Sequence, residues 1–152
     1  MAHILVVDDD EIVAELASEI LISAGHACGW VTDAAEALKL LQWRRPDLLL
    51  LDENMPGESG STFLRRLRQS PKFYDLPVMM FTSVQGPEDE TRAYYNGAQD
   101  YIRKPVQPKF LVWRVNQTLR SRAERPKHRE LKDMAEFQMR NRDDDKPRQV
   151  YL

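Results

Sequence analysis

The chain has 152 residues, a formal net charge of −2, 42% hydrophobic residues and 30% charged residues. That length suits one domain, which buries roughly two thirds of its unfolded surface and folds without a disulfide or metal staple. No apolar run approaches the ~18 residues of a membrane helix, and the weakly acidic balance argues against an overall polybasic nucleic-acid binder.

The N-terminus, MAHILVVDDDE, lacks a basic region and turns acidic within a few residues, so it does not read as a secretory leader. Residues 4–7 are an apolar run ending in Asp8, Asp9 and Asp10. Ile12, Val13, Leu16, Ala17, Ile20 and Leu21 then recur at helical spacing, and Gly25 stops that helix. Ala27–Val31 reads as a second strand. Asp33 with Glu36 resembles a capping box, and Ala34, Ala37, Leu38 and Leu41 form one helical stripe. Leu48–Leu51 is a run of leucines ending in Asp52. So short a continuous apolar run predicts a strand buried on both faces, as parallel sheets require.

A turn-rich loop at 54–60 leads into a helix with Phe63, Leu64 and Leu67 inward. Residues 78–81 form a fourth strand. Gly86–Pro87 followed by three acids starts a helix, with Pro at its first position and negative charge against the dipole. Asn96–Gly97 closes it. Asp100–Arg103 is a short fifth strand, and residues 107–120 a fifth helix with Leu111, Val112, Val115 and Leu119 on one face. Phe110 and Trp113 fall roughly opposite, which marks a contact patch unless one covers a neighbouring side chain. Beyond residue 120 bases outnumber acids and Val and Ile become scarce. The expected organisation is therefore a domain over 2–120 and a polar extension over 121–152, with at most one short helix. The single Cys28 has no partner for an internal disulfide and suits a reducing cytoplasm.

Five strands alternating with five helices imply a doubly wound α/β fold: a five-stranded parallel sheet with helices on both faces. Ligands bind such sheets at the carboxyl ends of the strands. The polar groups there are Asp8 and Asp9 on the first strand, Asp52 on the third, Thr82 on the fourth, and Lys104 before Pro105 on the fifth. Converging carboxylates repel one another, and a hard divalent cation such as Mg²⁺ relieves that. Thr82 can donate to a phosphate oxygen and Lys104 can neutralise it, so the set suits phosphoryl transfer with one carboxylate as nucleophile. Singly these residues carry little: an acidic pair after a strand is more often a helix cap, and Asp10 and Glu11 suit that role. Their conjunction at matching topological positions carries the reading.

In VVDDDE, LLLLDENMPGESG, FTS and DYIRKP the chain resembles the receiver domains of two-component response regulators, the match covering residues 2–120. The resemblance implies the flavodoxin-like strand order 2-1-3-4-5. It implies that Asp52 takes a phosphoryl group from a phosphohistidine on a histidine kinase or phosphotransfer protein. Asp9, Asp52 and the backbone carbonyl of Asn54 would hold Mg²⁺, Asp8 helping through water, and Lys104 would pair with the phosphoryl group. Thr82 would move toward it and Tyr101 turn inward behind it, although as a pattern Tyr101 is only a half-buried strand aromatic. The Lys104–Pro105 bond is expected to be cis. Two departures stand out: GESG follows Met55–Pro56 where an acid directly before Gly is common, and Val84 stands where a polar residue can place a hydrolytic water.

Residues 121–152 show no helix-turn-helix, so the expectation is a stand-alone, cytoplasmic switch without a DNA-binding domain, not an enzyme in the ordinary sense. Its output would be a protein contact through the face of helix four, strand five and helix five, with an unidentified downstream protein or as a homodimer. Two alternatives stand beside it. Arg120, Arg122, Arg125 and Arg129 suit a nucleotide-responsive adaptor. A metal-dependent phosphatase with an aspartyl nucleophile would need a general acid two residues on, where this chain has Asn54. The extension itself, with Leu131, Met134, Ala135 and Phe137 after Pro126, offers a candidate cover for Phe110 and Trp113.

Overall fold

The computed structural model describes residues 1–83 and 86–124. Ten elements alternate along the chain: β1 (His3–Val7), α1 (Glu11–Ser23), β2 (Ala27–Val31), α2 (Ala34–Trp43), β3 (Leu48–Leu51), α3 (Gly60–Gln69), β4 (Val78–Thr82), α4 (Pro87–Tyr95), β5 (Asp100–Arg103) and α5 (Pro108–Glu124). All neighbouring strands pair in parallel, in the order β2-β1-β3-β4-β5. This is the expected doubly wound sheet. Val84 and everything expected of residues 125–152, including the short helix and the apolar side at Leu131, Met134, Ala135 and Phe137, lie outside the described residues.

The two-residue period of the strands divides the core into two layers. Leu5, Val7, Leu49, Leu51, Val78 and Met80 face α2, α3 and α4. Ile4, Val6, Leu48, Leu50, Met79 and Phe81 face α1 and α5. Every residue of β3 is thus buried, which is why four leucines in a row form a strand here.

Local chemistry sets the helix starts. Asp10 accepts the Ile12 and Val13 N–H groups at 3.0 and 3.3 Å, Asp33 accepts Glu36 N–H at 2.8 Å, and Ser59 accepts Thr62 N–H at 3.2 Å. α4 starts at Gly86 with Pro87 in its first turn and Glu88, Asp89 and Glu90 against the positive end of its dipole.

Two helices differ from the pattern. α1 buries Ala14, Ala17, Ser18 and Leu21, while Ile12 and Leu16 are 78% and 55% exposed. Small residues let this helix lie close to the sheet with Leu21 buried beneath it, while Ile12 and Leu16 are turned outward. α5 continues to Glu124, past the expected stop at 120, because no breaker occurs before Pro126. Its inward stripe is as expected: Leu111 and Val115 are buried, with Val112 and Leu119 against the core. Trp113 is 43% exposed and stacks on Phe110, ring centroids 6.2 Å apart. Among the described residues, no helix is long and apolar enough to cross a membrane.

Candidate functional site

The carboxyl ends of β1, β3, β4 and β5 meet in one crevice. Asp8 and Asp9 leave β1 in succession, so the strand alternation separates them: Asp8 is fully buried and Asp9 exposed. Asp52, directly after β3, is 6% exposed. One carboxylate oxygen of each of these three residues lies within 4.8 Å of the others. Lys104, just past β5, ion-pairs with Asp8 and stands 3.8 Å from Asp52. Its ammonium also lies 4.9 Å from the Phe81 ring centroid, a cation–π contact that holds it over the sheet. Lys104 donates its backbone N–H to the Thr82 carbonyl at 3.0 Å, which ties β5 to the end of β4. The Lys104–Pro105 bond is cis.

Asp52 ionises with difficulty. Burial pushes its carboxyl up to about 6, and the Asp8 charge adds to the rise. Lys104, a hydrogen bond from Thr82 and the Glu53 N–H at 2.8 Å oppose it without cancelling it. Burial is the larger cause, and Lys104 offsets it only in part because its ammonium sits nearer Asp8 than Asp52. Hard oxygen donors this close, without sulfur or imidazole among them, fit Mg²⁺ better than a soft metal.

Two further residues of the expected set are Asn54, expected through its backbone carbonyl, and Tyr101. Asn54 lies exposed on the loop two residues after Asp52. Tyr101 is buried in the layer beneath α4, on the sheet face away from α1 and α5. Burial raises its phenol above the usual range, and Asp89, Glu90 and Glu53 raise it further against the pull of Arg103.

Three contributors were not singled out by sequence. Phe81 bears on Lys104 as described. Glu53 anchors the loop after Asp52 to the start of α3, accepting the Ser61 N–H at 2.9 Å and its hydroxyl at 2.5 Å. Gly60 approaches the backbone of Asp52 so closely that an added Cβ would lie 2.9 Å from the Asp52 carbonyl carbon and 3.0 Å from Glu53 Cα. The only sequence signal for Gly60 is a glycine directly after a Ser that caps a helix.

A doubly wound parallel sheet with three carboxylates and one lysine at the carboxyl ends of its strands defines an α/β domain whose site lies where such sheets bind their ligands. The chain belongs to the response regulator receiver domain family, whose model matches residues 4–116. It is 36% identical over 117 residues to the phosphate regulon transcriptional regulatory protein PhoB of Pseudomonas aeruginosa, covering 77% of this chain and 51% of that protein. It is 37% identical over 124 residues to the DNA-binding response regulator MtrA of Mycolicibacterium smegmatis, covering 82% and 53%. The chain therefore spans about half the length of the curated relatives it matches. Among solved structures it resembles the chemotaxis response regulator CheY4 of Vibrio cholerae, with a TM-score of 0.73 and 30% identity over 78% of this chain and 98% of that one. It also resembles the receiver domain of a signal transduction histidine kinase from Syntrophus aciditrophicus, with a TM-score of 0.75 and 30% identity over 86% and 99%. Receiver domains are generally phosphoacceptor switches of two-component signalling that bind Mg²⁺ at an acidic pocket and meet histidine kinases or phosphotransfer proteins.

Proposed function

We propose that this chain is a phosphorylation-driven switch in which Asp52 accepts a phosphoryl group from a phosphohistidine of a histidine kinase or phosphotransfer protein. The observation that carries this reading is the placement of Asp52: it lies in a crevice with two further carboxylates, and Lys104 pairs with it and with Asp8. A carboxylate oxygen of Asp52 attacks phosphorus, the phosphorus–nitrogen bond of the donor breaks, and the histidine nitrogen leaves with the bonding electrons and takes up a proton. Asp52 must be ionised to attack, and its raised pKa means that a neighbouring positive charge favours the reactive form.

Asp9, Asp52 and the carbonyl of Asn54 would hold Mg²⁺, with Asp8 assisting through water. When bound, the metal offsets the charge of the carboxylates and of the incoming phosphoryl oxygens. Lys104 is within short reach of that charge and exchanges part of its pairing with Asp8 for it. Thr82, fully buried at the end of β4, supplies a hydroxyl to the phosphoryl oxygen, and Tyr101 occupies the space beneath α4.

The output is a change of protein contacts on the α4–β5–α5 face, where Tyr95 is 90% and Trp113 43% exposed, toward a downstream protein or a second copy. The site of action is the cytoplasm, and the chain's chemistry is confined to its own phosphorylation and its reversal. A phosphatase acting on other substrates is disfavoured by the amide of Asn54, which cannot serve as a general acid. Incubation with a small acyl phosphate and Mg²⁺, followed by intact-mass measurement, tests the reading. One added phosphoryl group, absent from Asp52→Asn, is the expected result; equal labelling of that variant refutes it.

A further inference from the structure

We infer that Arg103 and Glu90 form a latch that holds Tyr101 inward, making Arg103 a positioning residue of the switch. The inference rests on the reading of Tyr101 as a switch residue.

Tyr101 and Arg103 are two apart on β5, so both project from the sheet face that α4 covers. The Tyr101 ring is 6% exposed, and the Arg103 guanidinium lies 5.9 Å from its centroid. Arg103 is exposed, which places this cation on the solvent side of the ring. The guanidinium is not loose. Its Nη2 donates to Glu90 Oε2 at 3.0 Å, and Glu90 stands in the first half of α4. An outward swing of the ring must therefore displace a cation tethered to the neighbouring helix. β5 is an edge strand, so no further strand takes over that blocking role.

The latch is also placed to sense the site. Arg103 is the register partner of Thr82 across the β4–β5 pair, and Lys104 follows it directly. A change at Thr82 or Lys104 alters the strand end from which Arg103 projects. On its inner side Tyr101 borders a water-sized cavity of about 30 Å³, shared with Glu53, Ser61, Asp89 and Arg92. Glu53 adjoins Asp52. The ring thus lies between a group joined to the phosphoacceptor loop and a cation joined to α4. Glu53, Asp89 and Glu90 are the acidic groups around the ring, and the Arg103 cation is stationed over it.

The test uses the full chain labelled with 3-fluorotyrosine, Tyr101→Phe identifying the Tyr101 resonance. Its solvent exposure is read by fluorine NMR, and phosphorylation from acetyl phosphate with Mg²⁺ is measured on the same samples. Arg103→Ala and Glu90→Gln should each raise the outward-to-inward ratio of Tyr101 by between about 1.5- and 5-fold, the range of an exposed ion pair. Arg103→Lys keeps the cation and should recover much of the wild-type ratio, a recovery that simple loss of packing would not give. Arg103→Ala combined with Glu90→Gln should change little beyond Arg103→Ala alone, because both remove one interaction. Phosphorylation should slow in parallel with outward population. Unchanged Tyr101 exposure in either single variant, or additive effects in the double variant, overturns the latch. If the wild type is not phosphorylated yet Tyr101 responds as described, the reading of Asp52 fails and the latch stands.

Discussion

Replacing Asp52 by Asn should change stability in a way that depends on pH, and the structure sets the size. In the unfolded chain this carboxyl has its ordinary value of 3.8, and in the fold it stands at about 6. A pKa raised by folding means that the native state binds the proton more tightly. Its contribution is then greatest below the unfolded value and is lost as pH rises through the folded value. The full shift corresponds to about 3 kcal/mol. Between about pH 4.5 and about pH 7.5, most of that range is crossed, and wild-type protein should lose about 2 kcal/mol from this one group. Asp52→Asn carries no such proton.

The stability of the variant minus that of wild type should therefore be about 2 kcal/mol more favourable near pH 7.5 than near pH 4.5. Groups far from Asp52 are common to both proteins and cancel in the subtraction, whereas Asp8 and Lys104 are coupled to Asp52, so the difference reports the crevice as a unit. Urea unfolding in chelator-treated buffer at the two pH values measures it. A difference below ~0.5 kcal/mol, or one of opposite sign, would show that Asp52 is neither as desolvated nor as poorly neutralised as its surroundings require. Adding Mg²⁺ near pH 7.5 should then stabilise wild type more than the variant, because binding to the native state alone adds to stability and the variant has lost a charged oxygen donor.

Asp9→Ala should abolish Mg²⁺-dependent phosphorylation yet leave the urea midpoint within ~0.5 kcal/mol of wild type, since Asp9 is exposed and its loss relieves repulsion; labelling that survives the change would refute its place as a ligand. Arg114→Ala should cost about 3–5 kcal/mol by urea unfolding, because it strips a buried Asp100 of the guanidinium that engages both its oxygens. A loss below ~1 kcal/mol would show that water replaces the pair. Gly60→Ala should cost about 1–3 kcal/mol and slow acetyl phosphate labelling, because the added carbon displaces the backbone that carries Asp52. A labelling rate equal to wild type would separate that close approach from the chemistry.

The crevice was legible in the sequence because three of its groups end apolar runs: Asp8 after ILVV, Asp52 after LLLL, Thr82 after VMMF. In a parallel sheet those ends share one side, so the pattern that identifies the strands also gathers the chemistry. The differing fates of Asp8 and Asp9 were not legible. Neighbouring aspartates have the same chemistry, and only their alternation about the end of β1 buries one against Lys104 and leaves the other in water. Gly60 was hidden because its constraint comes from a backbone eight residues away in sequence. Arg114 reads as an ordinary polar residue of a helix; its burial depends on Asp100 from β5 and on the Phe110 ring, 5.5 Å away. Ile12 and Leu16 show the converse. They match the helical period, but the sheet contact is made through Ala14, Ala17 and Ser18, and period alone does not tell a large apolar residue from the small one that packs closer.

Two buried aspartates on the same sheet show how the fold assigns its charges. Asp100, at the start of β5, has both oxygens engaged by Arg114, accepts the Tyr94 hydroxyl at 3.3 Å and receives the Tyr101 N–H at 2.9 Å. Those contacts join α4, β5 and α5 into one unit and leave little capacity for anything else. Asp52, past the end of β3, has one backbone donor, the Thr82 hydroxyl and a share of a lysine that lies closer to Asp8. With all three acids ionised the crevice holds two negative charges more than it neutralises. Either a proton on Asp52 or a divalent cation makes up part of that deficit, and near pH 7.5 the proton is gone. In the switch proposed above, the charge left unmatched beside Asp52 would recruit the metal, while the matched charge at Asp100 ties α4, β5 and α5 together behind the route proposed from Thr82 through Arg103 to Tyr101.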